Sequence, residues 1–240
     1  MIELFCCQSP NVIKVVIALE EFELPYKLNY LDIFNGKNHE PWFLKLNPNG
    51  RIPVIVDDDA KSGTPFSLAE SGAILIYLAE KHGAFIPSDE ADRYRTLQWL
   101  MFQMSAIGPM FGQYVYFSRR VTDQPAALDR YLTEVFRLYD VVERAVGERR
   151  YLACDEYTIA DIATFPWLRI LPVQGLDRSK YPNMNRWLAE LEARPAIARS
   201  MQVLKEMDKV DAERIAAATP DQWDRLFGRG KYSRGNLRQG

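Results

Sequence analysis

Apolar positions along the chain follow two rhythms, and the switch between them falls near residue 83. Before it, short apolar runs alternate with stretches of helical periodicity. Residues 2–6 read as a strand. Residues 10–22 read as a helix, with Ser9 a natural N-cap and Pro10 at the favoured first position. A second strand at 26–30, reached by a helical crossover, is expected to run parallel to the first. A short helix near 40–46 and a strand at 54–56 come next. The acidic run Asp57-Asp58-Asp59 through Gly63-Thr64 reads as a solvated hairpin turn into a strand at 65–68, and a helix at 70–81 closes the unit.

Past His82-Gly83 and Pro87-Ser88-Asp89 the pattern is helical throughout. Residues 91–119 carry Leu97, Leu100, Met101, Met104 and Ile107 at helical spacing, and Gly108-Pro109 should kink or break that helix. A helix at 126–147 follows. Thr158-x-x-Asp161 fits a capping box, with Tyr157 and Ile162 as its hydrophobic staple. Helices at 183–193 and 195–206 complete a bundle. The remainder is polar apart from Trp223, Leu226 and Phe227, so it reads as a surface tail that docks by that island and frays over 228–240. The expected organisation is an α/β domain at 1–83, an all-α domain at 90–206 and a tail at 207–240. The order β-α-β-α-β-β-α of the first is that of a thioredoxin-like domain.

Composition narrows the function classes. A net charge of −2 with 26% charged residues gives no footprint for nucleic acid and no basic face for a membrane. No apolar stretch reaches the ~18 residues of a membrane span, and the start lacks a signal-peptide pattern. Three cysteines, two of them adjacent, make no secreted disulfide framework. A cytoplasmic protein is expected.

Two segments carry the chemistry: Asn49-Gly50-Arg51-Ile52-Pro53-Val54 and Leu68-Ala69-Glu70-Ser71-Gly72-Ala73-Ile74. Proline at a strand entrance costs no ladder hydrogen bond. With a cis Ile52-Pro53 bond, the main chain of Ile52 would turn outward and pair with an extended peptide. Glu70 and Ser71 open a helix whose N–H groups favour a carboxylate, while Glu70 suits an adjacent ammonium. An extended backbone with an amino-acid end points to glutathione. The alternative for the second segment is a plain capping box, Ser67-x-x-Glu70.

With these motifs in order, residues 1–205 resemble the cytosolic glutathione S-transferase superfamily: a thioredoxin-like N-terminal domain joined to an all-α C-terminal helical bundle. Ser9-Pro10-Asn11, Asn47-Pro48-Asn49-Gly50-Arg51-Ile52-Pro53 and Leu97-Gln98-Trp99-Leu100 look most like the bacterial nu-class, disulfide-bond oxidoreductase-type members. Thr158-Ile159-Ala160-Asp161-Ile162 is similar to the superfamily's folding motif. The resemblance implies that Glu70 and Ser71 hold the γ-glutamyl end, and that Ile52, before Pro53, pairs with the cysteinyl unit. It places Lys37, Asn38 and Arg51 at the glycyl end, Ser9 and Asn11 at the sulfur, and Arg130 against a second glutathione. Nu-class members commonly carry threonine where this chain has Ser9, so the hydroxyl is kept and a methyl lost.

The first loop decides the chemistry. A glutathione thiol has an unperturbed pKa of about 8.5, and neutral donors at a helix N-terminus lower it. Asn11 can donate to sulfur but has no proton to lose, which suits positioning a disulfide and stabilising a leaving thiolate. Capping alone is the plain reading of Ser9, and first-turn polarity that of Asn11. Cys7 is a rival redox centre, although the helix start that would activate it is held by Ser9 and Pro10. Packing is the other reading of Cys7, and Cys154 reads as incidental. No metal is expected, because the three aspartates cannot converge and His39 and His82 lack ligand spacing. Among Phe111, Tyr114, Tyr116 and Phe117, Tyr114 is the expected pocket residue. The sequence thus predicts a homodimer that binds reduced or oxidised glutathione and reduces small or mixed disulfides. Conjugation of glutathione to an electrophile and a non-enzymatic glutathione-binding regulatory module are the alternatives.

Overall fold

The computed structural model describes residues 1–61, 63–170 and 177–233. The chain divides into two compact units, Met1–Ile74 with Arg199–Gly240, and Leu75–Ala198.

The first unit is built on a four-stranded sheet in the order β2-β1-β3-β4: β1 Ile2–Cys6, β2 Tyr26–Tyr30, β3 Val54–Asp57 and β4 Phe66–Ala69. β1 and β2 are parallel, as the crossover α1 (Pro10–Glu21) requires, and β3 pairs antiparallel with both β1 and β4. Strand alternation sends Phe5, Val54 and Ala69, which are register partners, into one cluster with Phe43 of α2 (Pro41–Leu46). Helix α3 (Ser71–His82) leaves the end of β4.

Ser9 caps α1 by accepting the Asn11 N–H at 3.3 Å, and Pro10 occupies the first turn. The acidic turn differs from its expected form. Asp57 is buried, and its Oδ1 accepts the Asp59 N–H at 2.9 Å, so it shapes the turn instead of solvating it.

Helix α9 runs Pro195–Ala217 without a break at 206, since Ser200, Leu204, Met207 and Asp211 continue one buried stripe through the polar run. Arg199 on it pairs with Glu20 at 2.6 Å. Helix α10 (Pro220–Phe227) then docks as expected of the apolar island, Trp223 meeting Phe34 edge to face at 5.0 Å. Beyond it the chain is ordered into a 3₁₀ turn at Gly230–Tyr232, and the rest of the expected frayed end, 234–240, lies outside the described residues.

The second unit is helical. Helices α4 (Glu90–Phe102) and α5 (Gly108–Arg119) are joined by a π-helical turn, Gln103–Ile107, so the irregularity falls just before Gly108-Pro109. Helix α6 (Pro125–Glu148), α7 (Ile159–Ile170) and α8 (Pro182–Glu192) follow. The Thr158–Asp161 cap is present: buried Asp161 accepts from Thr158 N at 3.0 Å and Thr158 Oγ1 at 3.1 Å. It also accepts from Leu152 N at 3.1 Å and Trp187 Nε1 at 2.9 Å. Burial pushes the Asp161 carboxyl up, against those hydrogen bonds. Tyr114 is buried on α5.

Candidate functional site

Strand register decides which loops meet. Phe5 lies opposite Val54, and Val54 opposite Ala69. The C-terminal end of β1, the N-terminal end of β3 and the C-terminal end of β4 therefore share one end of the sheet. From that end emerge the loop bearing Ser9, the Ile52-Pro53 segment and Glu70-Ser71, so three segments distant in sequence converge.

Each brings a distinct group. The positive end of α1 carries Ser9 and Asn11, both half-buried. Ser9 Oγ uses a lone pair on Asn11 N, and its own hydroxyl proton has no acceptor among the described residues. Capping and contact with a ligand sulfur are thus compatible.

The Ile52-Pro53 bond is cis. The side chain of Ile52 packs on the Leu31–Phe43–Val54 cluster, and its main-chain groups are unpaired among the described residues. The preceding loop is braced from within. Asn47 Nδ2 donates to Arg51 O at 2.7 Å, and buried Asn38 donates from Nδ2 to Gly50 O at 2.8 Å. Gly50 has φ +63°, and a Cβ there would stand 3.0 Å from Asn38 O, so both backbone and space call for glycine.

Glu70 is exposed at φ +69°, a left-handed conformation unusual for a side-chain-bearing residue, and its C=O accepts Ile74 N at 2.9 Å. It is therefore the residue at which α3 begins. Ser67 is inside β4 opposite Val56, so the Ser67-x-x-Glu70 capping box does not form. Ser71, buried, accepts a hydrogen bond from Lys14 Nζ at 3.3 Å.

Lys14 is the residue sequence reasoning missed. It is 1% exposed, and burial drives its ammonium down to about 7 against the opposing pull of Glu70. The signal was present: 12–19 is apolar on every face except at Lys14, so a lysine there must be buried.

The remaining predicted residues are more dispersed. Arg51 is exposed and lines a pocket of about 500 Å³ with Asn38, His39 and Asn49. Lys37 instead pairs with Glu40 at 2.6 Å and lines a separate groove with Trp42. Arg130 belongs to the second unit, on α6, where it pairs with Glu134 at 2.7 Å.

The cysteines are poor nucleophiles. Burial, reinforced by Asp211, pushes the Cys6 thiol up to about 12 and the Cys7 thiol higher still. Asp211 also accepts the Gln8 N–H, tying α9 to the first loop. Among the described residues no cluster of His, Cys, Asp and Glu could hold a metal, and no helix is long and apolar enough to cross a membrane.

Two family models match the chain: glutathione S-transferase, N-terminal domain, over residues 8–81, and glutathione S-transferase, C-terminal domain, over 102–195. The disulfide-bond oxidoreductase YfcG of Escherichia coli K12 is 40% identical over 203 residues, spanning 84% of this chain and 94% of that protein. A glutathione transferase from Burkholderia graminis, solved with two glutathione molecules per subunit, superposes with a TM-score of 0.79 at 42% identity, covering 86% of this chain and 87% of the other. One from Pseudomonas putida, solved with one glutathione disulfide per subunit, gives 0.78 at 41% identity, covering 84% and 91%.

Proposed function

We propose that this chain, which belongs to the glutathione S-transferase family, uses glutathione to reduce small or mixed disulfides. The observation that carries the reading is the shared end of the sheet, from which the start of α1 with Ser9 and Asn11, the cis Ile52-Pro53 segment and Glu70-Ser71 all emerge. Glu70 receives the γ-glutamyl ammonium. Ser71 and the first N–H groups of α3 receive its carboxylate. The main chain of Ile52 pairs with the cysteinyl unit as an added strand, and Arg51 attracts the glycyl carboxylate.

Ser9 and Asn11 donate to the sulfur and favour thiolate without themselves ionising. That thiolate attacks one sulfur of the disulfide, forming a mixed disulfide and expelling the other sulfur as a thiolate, which takes the proton lost by glutathione. A second glutathione thiolate attacks the glutathionyl sulfur of the mixed disulfide. The products are oxidised glutathione and two thiols, so two electrons pass from two glutathiones to one disulfide. Arg130 is assigned to the second tripeptide. The relatives support disulfide reduction, because YfcG is a disulfide-bond oxidoreductase and the structural relatives hold two glutathiones or one glutathione disulfide. The raised Cys6 and Cys7 thiols support an external thiol over a protein one.

The chain acts in the cytoplasm and as a homodimer, the dimer supported by exposed Tyr94 and Met101 seven residues apart on one face of α4. Light scattering of the purified protein reads the dimer directly. Turnover is tested by comparing reduction of hydroxyethyl disulfide with conjugation of chlorodinitrobenzene at equal glutathione. Faster disulfide reduction is expected. Dominant conjugation would make the chain a conjugating transferase, and tight binding without turnover would make it a regulatory module.

A further inference from the structure

The geometry points to the C-terminal helix α10 as the outer wall of the glutathione site, with Arg225 a second guanidinium for the glycyl carboxylate beside Arg51. This rests on the glutathione reading given above.

The family matches end at residues 81 and 195, so α10 lies beyond both. Its placement is built from side chains. Thr219 and Gln222 form a reciprocal capping box that starts the helix after α9. Trp223 lies against Phe34, and Gln222 Nε2 donates to Asn35 Oδ1 at 2.9 Å. Arg225 then crosses the loop at Gly36, where a Cβ would meet its Cδ at 3.3 Å. Gly36 also has φ +76°, a backbone that favours glycine, and a Cβ there would have to push the Arg225 side chain aside by a few tenths of an ångström.

These contacts put Arg225 and Arg51 around the same pocket of about 500 Å³, with Phe227 and Tyr232 completing the wall opposite Asn38. Arg225 is held by its Nη2, which donates to Tyr232 Oη at 2.9 Å, and Tyr232 Oη donates in turn to Asp221 at 2.9 Å. Asp221 is 3.8 Å from Arg225 and also takes Lys231 at 2.7 Å. One edge of the guanidinium is thus occupied by Tyr232 of the following 3₁₀ turn and by Asp221 of α10. A guanidinium has five donors, so the others remain to meet a carboxylate. Two arginines over an apolar floor of Ile33 and Leu226 suit the charged end of a short peptide.

The test is a binding cycle with two ligands and two proteins. Glutathione and its glycyl monoethyl ester, which lacks that carboxylate, are titrated calorimetrically into wild type and Arg225→Gln. Wild type should prefer glutathione over the ester by tenfold or more, on the order of 1.4 kcal/mol. Arg225→Gln should weaken glutathione by about tenfold while leaving ester affinity unchanged, a pattern that loss of packing alone would not produce. Equal weakening of both ligands, or of neither, overturns the assignment of Arg225. Failure of wild type to bind glutathione at all would instead overturn the underlying reading of the site, and this proposal with it.

Discussion

Replacing Lys14 by methionine tests the buried ammonium, because the side chain stays unbranched, one atom shorter, and loses its charge. Lys14 titrates near 7 in the fold, pushed down by burial, against about 10.4 for an unfolded lysine. Between those values the unfolded chain holds the proton and the folded chain does not. Wild-type stability therefore rises with pH, by about 1.4 kcal/mol per unit. Integrated from about pH 6 to about pH 9, the gain is about 2.6 kcal/mol. It is fully present only above the unfolded pKa and is lost as pH falls through about 7. Lys14→Met removes that dependence and also removes the hydrogen bond to Ser71, a pH-independent offset of about 1 kcal/mol. Urea denaturation of both proteins, followed by tryptophan fluorescence, reads the difference. The stability of the variant minus that of wild type should fall by about 2.6 kcal/mol between the two pH values. A difference that stays constant would mean that Lys14 is an ordinary lysine, and the reasoning would fail.

Glu70→Gly should separate stability from binding: the left-handed backbone is relieved by about 1 kcal/mol, while glutathione affinity drops about tenfold with the lost ammonium partner. Thermal unfolding and calorimetry measure the two effects. Asp161→Ala strands the Trp187 and Leu152 donors and should destabilise the second unit by about 3 kcal/mol or more, read by denaturant unfolding. Cys6 and Cys7 should resist thiol labelling at about pH 8 until urea unfolds the chain, since their folded thiols titrate far above that.

Much of the fold was legible because its signals are local. Ser9-Pro10 marks the start of α1, the crossover makes β1 and β2 parallel, and Thr158-x-x-Asp161 caps α7. What escaped depends on long-range placement. The polar letters of 206–211 suggested a helix end, yet the buried stripe through Met207 and Asp211 carries α9 to Ala217. Ser67 and Glu70 have capping-box spacing, but pairing with Val56 keeps Ser67 in a strand. Asp57 looked solvated as one of three aspartates until its turn closed over it. At the candidate site, motif order was enough to single out Ile52, Glu70 and Ser71, whose segments the strand register brings to one end of the sheet. Lys14 required asking what surrounds a helix with no polar face, and Arg225 required knowing where the tail lands.

The central claim is that Ser9 and Asn11 at the start of α1 handle glutathione sulfur for disulfide exchange. Its most direct measurement is the steady-state rate of hydroxyethyl disulfide reduction by glutathione, for wild type and Asn11→Ala. The account predicts that wild type far outpaces free glutathione and that Asn11→Ala loses at least about tenfold in kcat/KM, on the order of one charge-assisted hydrogen bond. A wild-type rate equal to that of free glutathione, together with an unchanged variant, would contradict it.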